Sequence, residues 1–291
     1  MDLLNLSALD IGHYTQIPFL PISFFKTRKV LTGHNYEMAF ESSGTTGENT
    51  SKHYVSDLSL YEESIYKGFE YFFGNPNKFR FLFLLPGYLE RENSSLVYMA
   101  NHLTSFSKYK ENGFYLREHE ELLKVIQDLE FKNELYLLMG VSYAMEDLSL
   151  VCKKDHVEIN HGLLFETGGM KGKRKEKTKE AFHKELKDNF SVAQVFSEYG
   201  MTELLSQAYL MGDSKFHCPP WMKVMGREIN DPLDTVEQGR SLGLNVIDLA
   251  NVNSCSFIAT EDHCSLYPDG SFNVLGRLEN TIARGCNLLL D

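Results

Sequence analysis

The stretch Glu41-Ser-Ser-Gly-Thr-Thr-Gly-Glu-Asn-Thr-Ser-Lys52, taken together with Tyr199-Gly-Met-Thr-Glu203, decides how this chain is read. The first combines hydroxyl side chains with glycines and closes on a lysine. Glycine lets backbone N–H groups approach an anion without side-chain bulk, and Ser and Thr hydroxyls add donors, so the composition is that of a phosphate loop. The Walker pattern cannot be laid over it, which removes the P-loop NTPase fold.

Around these stretches, apolar strand-like runs alternate with amphipathic helical ones, which predicts a layered α/β architecture. Residues 79–85 read as a strand stopped by Pro86-Gly87, and 135–141, 162–165 and 191–196 as further buried strands. Helices are predicted over 94–105, 118–129 and 175–186. Another is predicted over 54–73, with Ser56 as N-cap and Leu58, Tyr61, Ile65, Phe69 and Phe72 on one face. From residue 242 the character changes to short β runs, 242–249, 256–260 and 271–275, the last after the turn Pro268-Asp-Gly270. The expected organisation is an α/β core over 1–240 and a small β-rich subdomain over 241–291.

With 291 residues, 43% of them hydrophobic, the chain can bury a large core without staples. Its five cysteines are odd in number and lack close paired spacing, which fits reduced thiols in a cytoplasm. The adjacent pairs His217-Cys218 and His263-Cys264 lack zinc-ligand spacing, and no Gly-x-Ser-x-Gly elbow is present. No basic region precedes an apolar run at the N-terminus, so no signal peptide is expected, and no run reaches the ~20 apolar residues of a membrane span. A net charge of −11 disfavours nucleic acid as a partner. Lys171, Lys173, Arg174, Lys175, Lys177 and Lys179 form one basic run, read either as a solvated loop or as a surface for pyrophosphate, a phosphopantetheine arm or an acidic carrier protein.

The loop 42–47 ahead of Lys52, followed by Tyr199-Gly-x-Thr-Glu203, resembles the adenylate-forming (acyl-CoA synthetase-like) superfamily. Thr167-Gly-Gly169, Thr260-Glu-Asp262 and Gly276-Arg277 fall in the order of that superfamily's adenine-side glycine turn, ribose motif and pre-hinge Gly-Arg. The resemblance covers most of the chain and implies ATP and Mg2+. It implies that Ser42, Ser43, Gly44, Thr45, Thr46 and Gly47 hold the β- and γ-phosphates while Lys52 adds a cation. Thr202 would contact the α-phosphate and Glu203 would help hold Mg2+, a hard cation that takes one or two carboxylates and phosphate oxygens. Tyr199, followed by Gly200, would stack on adenine, and Gly169 would let backbone approach the purine. Asp262 would accept from ribose hydroxyls and Arg277 would close the same side.

Within that superfamily, Glu41-Ser-Ser-Gly-Thr-Thr-Gly47, Thr167-Gly-Gly-Met-Lys-Gly172 and Arg284-Gly-Cys286 are similar to the acyl-protein synthetase (LuxE-like) branch of bacterial fatty-acid reductase systems. That branch implies activation of a fatty acid as its adenylate and transfer of the acyl group to an enzyme cysteine, here Cys286, with delivery to a reductase or acyltransferase partner. Ordinary CoA ligases continue past the Gly-Arg into a mobile C-terminal domain carrying a catalytic lysine. Only residues 278–291 follow Arg277, so a core lacking that domain is expected. Two other readings stay open: an acyl- or aryl-CoA or acyl-carrier-protein ligase working with a partner, and a nucleotide-binding pseudoenzyme subunit of a larger complex.

Overall fold

All five residues of the strand Arg80–Leu84 are buried. A run without polar alternation is what a parallel strand covered on both faces requires. The structure is a computed structural model that describes residues 10–42, 50–87, 93–116, 119–168 and 177–278. Two compact units are present, one made of residues 1–61, 202–206 and 215–291, the other of residues 62–201 and 207–214.

The first described stretch forms β1 (Leu20–Pro21), α1 (Phe24–Thr27) and the hairpin strands β2 (Met38–Glu41) and β3 (Lys52–Val55). Their antiparallel register sets Glu41 opposite Lys52, so the hydroxyl- and glycine-rich loop is the hairpin connection. Helix α2 (Leu58–Phe73) follows. It starts four residues later than the pattern predicts, because the β-formers Tyr54 and Val55 complete β3. Asp57 rather than Ser56 caps it, its Oδ1 accepting from the Ser59 amide at 3.0 Å.

The second unit alternates β4 (Arg80–Leu84), α3 (Ser95–Ser105), β5 (Gly113–Phe114), α4 (His119–Phe131) and β6 (Tyr136–Val141). It continues with α5 (Ser142–Lys154), β7 (Gly162–Thr167), α6 (Lys179–Phe190), β8 (Phe196–Tyr199) and β9 (Ala208–Leu210). The sheet order is β5-β4-β6-β7-β8-β9, parallel except where β9 runs against β8. Arg80 is admitted to this apolar sheet because its guanidinium reaches Glu134 at 2.7 Å and lies 3.7 Å from the Tyr109 ring centre. The strand predicted over 191–196 begins only at Phe196. Ser191 is the left-handed C-cap of α6 (φ 56°), so the residues after it leave the helix before they can pair. Helix α5 is an addition to the predicted elements, with Ala144, Met145, Leu148 and Cys152 inward at helical spacing. Phe73 packs edge-on against Phe165 at 4.9 Å and Tyr209 at 5.0 Å, and Phe165 stacks on Phe196 at 5.0 Å.

The first unit resumes with β10 (Phe216–His217), β11 (Met222–Arg227), β12 (Thr235–Val236), β13 (Gly239–Asp248), β14 (Phe257–Leu266) and β15 (Phe272–Arg277). These are antiparallel in the order β12-β11-β13-β14-β15-β10, and β1 adds in parallel to β14. The β-rich part thus takes in strands from β10 onward and an N-terminal strand, not only residues after 241. The turn at 268–270 closes as predicted, with Gly270 at φ 80° and Asp269 Oδ1 accepting from the Ser271 amide at 3.0 Å.

One packing detail of the second unit is directly testable. Tyr136 is fully buried and donates to Glu130 Oε1 at 2.8 Å, and that carboxylate also accepts from the amides of Asn160 (2.9 Å) and His161 (3.0 Å). A Cβ on Gly162 would stand 2.5 Å from the Tyr136 ring. Gly162→Ala should cost about 1–3 kcal/mol in urea unfolding, as overpacking does. Adding Tyr136→Leu should recover part of the loss as a non-additive coupling, and strict additivity would contradict this packing.

Candidate active site

The foot of the 43–49 loop is fixed by its flanks. Ser42 N–H donates to the Ser51 carbonyl at 3.0 Å, and Ser51 N–H donates to Ser42 Oγ at 2.9 Å. Ser43, Gly44, Thr45, Thr46 and Gly47 lie outside the described residues, as do Gly169 and Cys286. Lys52 projects from β3 and pairs with Glu41 at 2.9 Å, both side chains being well exposed. That pair is a weak one in water and can be exchanged for another anion.

Glu203 lies 6% exposed in the same unit, its carboxyl hydrogen-bonded by the buried Ser51 hydroxyl. Burial pushes its pKa above the ordinary glutamate value, while Ser51 and the Arg277 charge pull it back. The segment 202–206 is held by side chains that the motifs do not include. His53 Nδ1 donates to the Thr202 carbonyl at 2.8 Å, and Asn251 Nδ2 donates to the Glu203 carbonyl at 2.7 Å. Asp248 accepts through Oδ2 from the amides of Leu205 (2.8 Å) and Ser206 (3.0 Å), and through Oδ1 from Ser206 Oγ at 2.5 Å. His53, Asn251 and Asp248 are all fully buried. His53 Nε2 and Asn251 Oδ1 are both buried, and the two residues line one cavity of about 10 Å³, the room of a single water.

Asp262 and Arg277 face each other across β14 and β15, with Arg277 Nε 3.2 Å from Asp262 Oδ1. Asp262 is nearly buried, while Arg277 is 57% exposed and also lies 3.7 Å from Glu261. The carbonyl of Thr260, which opens the Thr-Glu-Asp stretch, is bound by the buried guanidinium of Arg227. That guanidinium also donates to the Leu244 carbonyl at 2.8 Å and Asn245 Oδ1 at 2.7 Å. Gly243 makes room for it, since a Cβ there would stand 2.8 Å from the guanidinium carbon.

No group of three or more His, Cys, Asp or Glu side chains able to hold a metal ion occurs among the described residues. A cation here would rest on Glu203 and on phosphate oxygens. That donor set fits Mg2+, which commonly keeps one or two carboxylates and completes its shell with phosphate and water.

The second unit carries Tyr199 and Gly200 at the end of β8, and Tyr199 is 8% exposed. The preceding residue, Glu198, is opposite Thr167 in register and accepts from its Oγ1 at 2.5 Å. Glu198 folds back over Gly200 so closely that a Cβ there would meet Glu198 Oε1 at 2.3 Å. This contact explains the glycine of the Tyr-Gly pair. Thr167 and Gly168 are held from α5 as well, Ser142 Oγ donating to the Gly168 carbonyl at 3.0 Å and to Glu166 at 2.8 Å. Buried Glu166 also takes Lys179 at 2.5 Å, His183 Nε2 at 3.2 Å and the Ser197 hydroxyl. Burial pushes its pKa up, and Lys179 with His183 more than outweigh this, holding the carboxylate well below the usual range. Among the described residues no such cation lies against Glu198; burial lifts it to about 7, aided by the Glu166 charge and opposed by Thr167 and Lys179. Ser197, His183 and Glu166 do not form a catalytic triad, because serine and carboxylate both meet the same imidazole nitrogen. Of the basic run, Lys177 pairs with Glu146 at 2.6 Å and Lys179 with Glu166, so these two are structural cations rather than a solvated loop.

A cavity of about 360 Å³ in this unit is lined by Pro86, Leu116, His119, Tyr143 and Asp147, among others. It sits beyond the carboxyl ends of β4, β5 and β6. The chain steps from β4 outward to β5 and then back past β4 to β6, so this is where strand order reverses, the usual ligand position in open α/β sheets.

Several solved structures are similar to the chain. An amide bond synthetase, McbA from Marinactinospora thermotolerans, matches with a TM-score of 0.59 at 14% identity over 82% of this chain and 48% of its own. An O-succinylbenzoate coenzyme A synthetase from Bacillus subtilis, in complex with AMP, matches with a TM-score of 0.56 at 14% identity over 83% of this chain and 49% of its own. An anthranilate CoA ligase, AuaEII in complex with anthranoyl-AMP, matches with a TM-score of 0.57 at 12% identity over 83% of this chain and 47% of its own. The chain has the mixed α/β fold that these adenylate-forming enzymes share, and it spans about half the length of each. No family model matches the chain. No curated protein matches it either. Among the described residues, no helix is long and apolar enough to cross a membrane.

The raised pKa of Glu198 makes a stability prediction. The folded state holds this proton more tightly than the unfolded state, whose ordinary value is 4.5, so the contribution is fully present below pH 4.5 and is lost as pH rises through about 7. Glu198→Gln keeps an acceptor for Thr167 and removes the titration. The variant should be more stable than the parent at pH 8, by up to about 3 kcal/mol, and the difference should vanish near pH 4.5 in urea titrations. A pH-independent difference would contradict the burial of this proton.

Proposed function

We propose that this chain activates a carboxylic acid with Mg·ATP as the acyl-adenylate and passes the acyl group to a thiol. The observation that carries this reading is the buried Glu203 carboxylate bonded to Ser51 at the foot of the hydroxyl- and glycine-rich hairpin loop. It occurs in a fold shared with enzymes whose solved structures hold AMP or anthranoyl-AMP.

In the first step a carboxylate oxygen attacks the α-phosphorus, and the bond from that phosphorus to the bridging oxygen breaks. Pyrophosphate leaves with the electron pair. Negative charge spreads over phosphate oxygens, so the protein's work is positioning and charge stabilisation. Ser42, Ser43, Gly44, Thr45, Thr46 and Gly47 hold the β- and γ-phosphates, and Lys52 exchanges Glu41 for phosphate. Thr202 orients the α-phosphate, and Glu203 holds Mg2+. The metal, when bound, withdraws charge from the phosphate oxygens. Tyr199, Gly200 and Gly169 take the adenine, and Asp262 with Arg277 takes the ribose. Within the second unit, the cavity lined by Pro86, Leu116, His119 and Tyr143 has a volume that suits a small-molecule ligand.

In the second step a thiolate attacks the acyl carbonyl carbon and AMP leaves. A nucleophilic thiol needs a lowered pKa. Burial instead raises the thiols of Cys152, Cys218 and Cys264 to about 12, and that of Cys255 is raised as well. Four of the five cysteines are therefore poor acceptors, which supports Cys286 as the acceptor within this chain. A fatty acid is the substrate class this choice implies, with a reductase or acyltransferase as the next protein. CoA or a carrier-protein thiol is the acceptor if Cys286 is not.

The test is carboxylate-dependent exchange of pyrophosphate into ATP over a panel of fatty and aryl acids, with intact-mass analysis of the protein in the same samples. Exchange is expected, with an acyl mass increment that Cys286→Ser abolishes while exchange persists. Glu203→Ala should lower exchange by about 100-fold, the scale for removing one group that stabilises transition-state charge. Exchange without the increment moves the acceptor to CoA or a carrier protein, and no exchange with any acid at saturating Mg·ATP overturns the reading in favour of a nucleotide-binding subunit.

A further inference from the structure

His53 directly follows Lys52 on β3, is fully buried, and has its ring plane set by edge-on contact with Phe25 at 5.5 Å. Its Nδ1 meets the Thr202 carbonyl at 2.8 Å, a residue 149 positions away in sequence. A carbonyl only accepts, so the hydrogen is on Nδ1 and the ring is held in that tautomer. Asn251, in the turn after β13, donates to the next carbonyl along the chain, that of Glu203, at 2.7 Å. Two consecutive peptide groups are thus each gripped by a buried N–H from a different element. Fixing both carbonyls fixes the peptide planes on either side of the Glu203 Cα, and with them the direction in which the Glu203 side chain leaves the backbone.

We infer that His53 is a positioning residue for Thr202 and Glu203, acting through its Nδ1–H rather than through its size, with Asn251 doing the same for the adjoining peptide. The consequence for nucleotide and metal rests on the activity proposed above, whereas the grip on the backbone does not. Neither residue is drawn from the motifs, and both lie within the unit that contains Thr202 and Glu203.

Two substitutions of the full chain separate donor from size. Asparagine places its amide nitrogen near the position of Nδ1, whereas glutamine, closer to histidine in length, places it near Nε2. Hydrogen–deuterium exchange of peptides covering 202–206 should be unchanged in His53→Asn and at least tenfold faster in His53→Gln. Calorimetric Kd values for ATP with Mg2+ should follow the same order, within threefold of the parent for His53→Asn and at least tenfold weaker for His53→Gln. The reverse order, or equal values in both variants, overturns the inference. If the parent binds no nucleotide while the exchange order holds, the positioning stands and the proposed activity falls. Should both variants fail to fold, Asn251→Asp, isosteric but without a donor, decides the matter by the same exchange readout: unchanged protection of 202–206 overturns the inference, and a tenfold loss supports it.

Discussion

Irregular backbone can be buried only where each of its polar groups finds a partner, and residues 202–206 are irregular backbone of this kind. Asp248, His53 and Asn251 supply the partners, taking two amides, one hydroxyl and two carbonyls among them. An unpaired carbonyl in that interior would cost about 1–3 kcal/mol. The Thr202-Glu203 pair is therefore placed by groups remote from it in sequence, and every role suggested for Glu203 depends on that placement. The same solution recurs at Thr260, whose carbonyl is held by Arg227 over the bare Cα of Gly243.

The second unit uses two buried carboxylates in opposite ways. Glu166 is surrounded by Lys179, His183, Ser142 and Ser197 and stays charged, because burying a charge is tolerable when cations and donors crowd it. Glu198, one strand over, has a threonine hydroxyl and, among the described residues, no cation in contact, and burial raises it to about 7. Together they brace the residues that open the Thr167-Gly168 turn and the Tyr199-Gly200 pair. Both glycines serve backbone needs that the structure makes concrete: Gly168 has φ 70°, and Gly200 leaves room for a carboxylate.

Much of this was legible in the sequence, and what was not has identifiable causes. The strand at 80–84 announces itself by an apolar run ended by Pro86-Gly87, and the late β strands by short runs around Asp269-Gly270. Helix α5 is harder to see because Ser, Glu and Asp interleave its inward positions, and three of those polar residues, Ser142, Glu146 and Ser149, are themselves buried. Residues 191–196 carry a strand-like composition, but the C-cap at Ser191 takes the first of them. In the site, Ser42, Lys52, Thr202, Glu203, Asp262 and Arg277 stand out because they belong to short stretches of unusual chemistry. His53, Asp248 and Asn251 do not, since one histidine in a strand and two polar residues at a strand end read as ordinary core and turn. Their signal is three-dimensional: each is buried and bonded to one short segment far away in the chain.

The central claim is that a carboxylate oxygen attacks the α-phosphorus of ATP. Incubation of the protein with Mg·ATP, a thiol acceptor and an acid labelled with oxygen-18 in both carboxylate oxygens tests it most directly. Mass analysis of the nucleotide product should find one labelled oxygen in the phosphate of AMP. Turnover that leaves AMP unlabelled, or that sends the label into inorganic phosphate alongside ADP, would contradict adenylate formation.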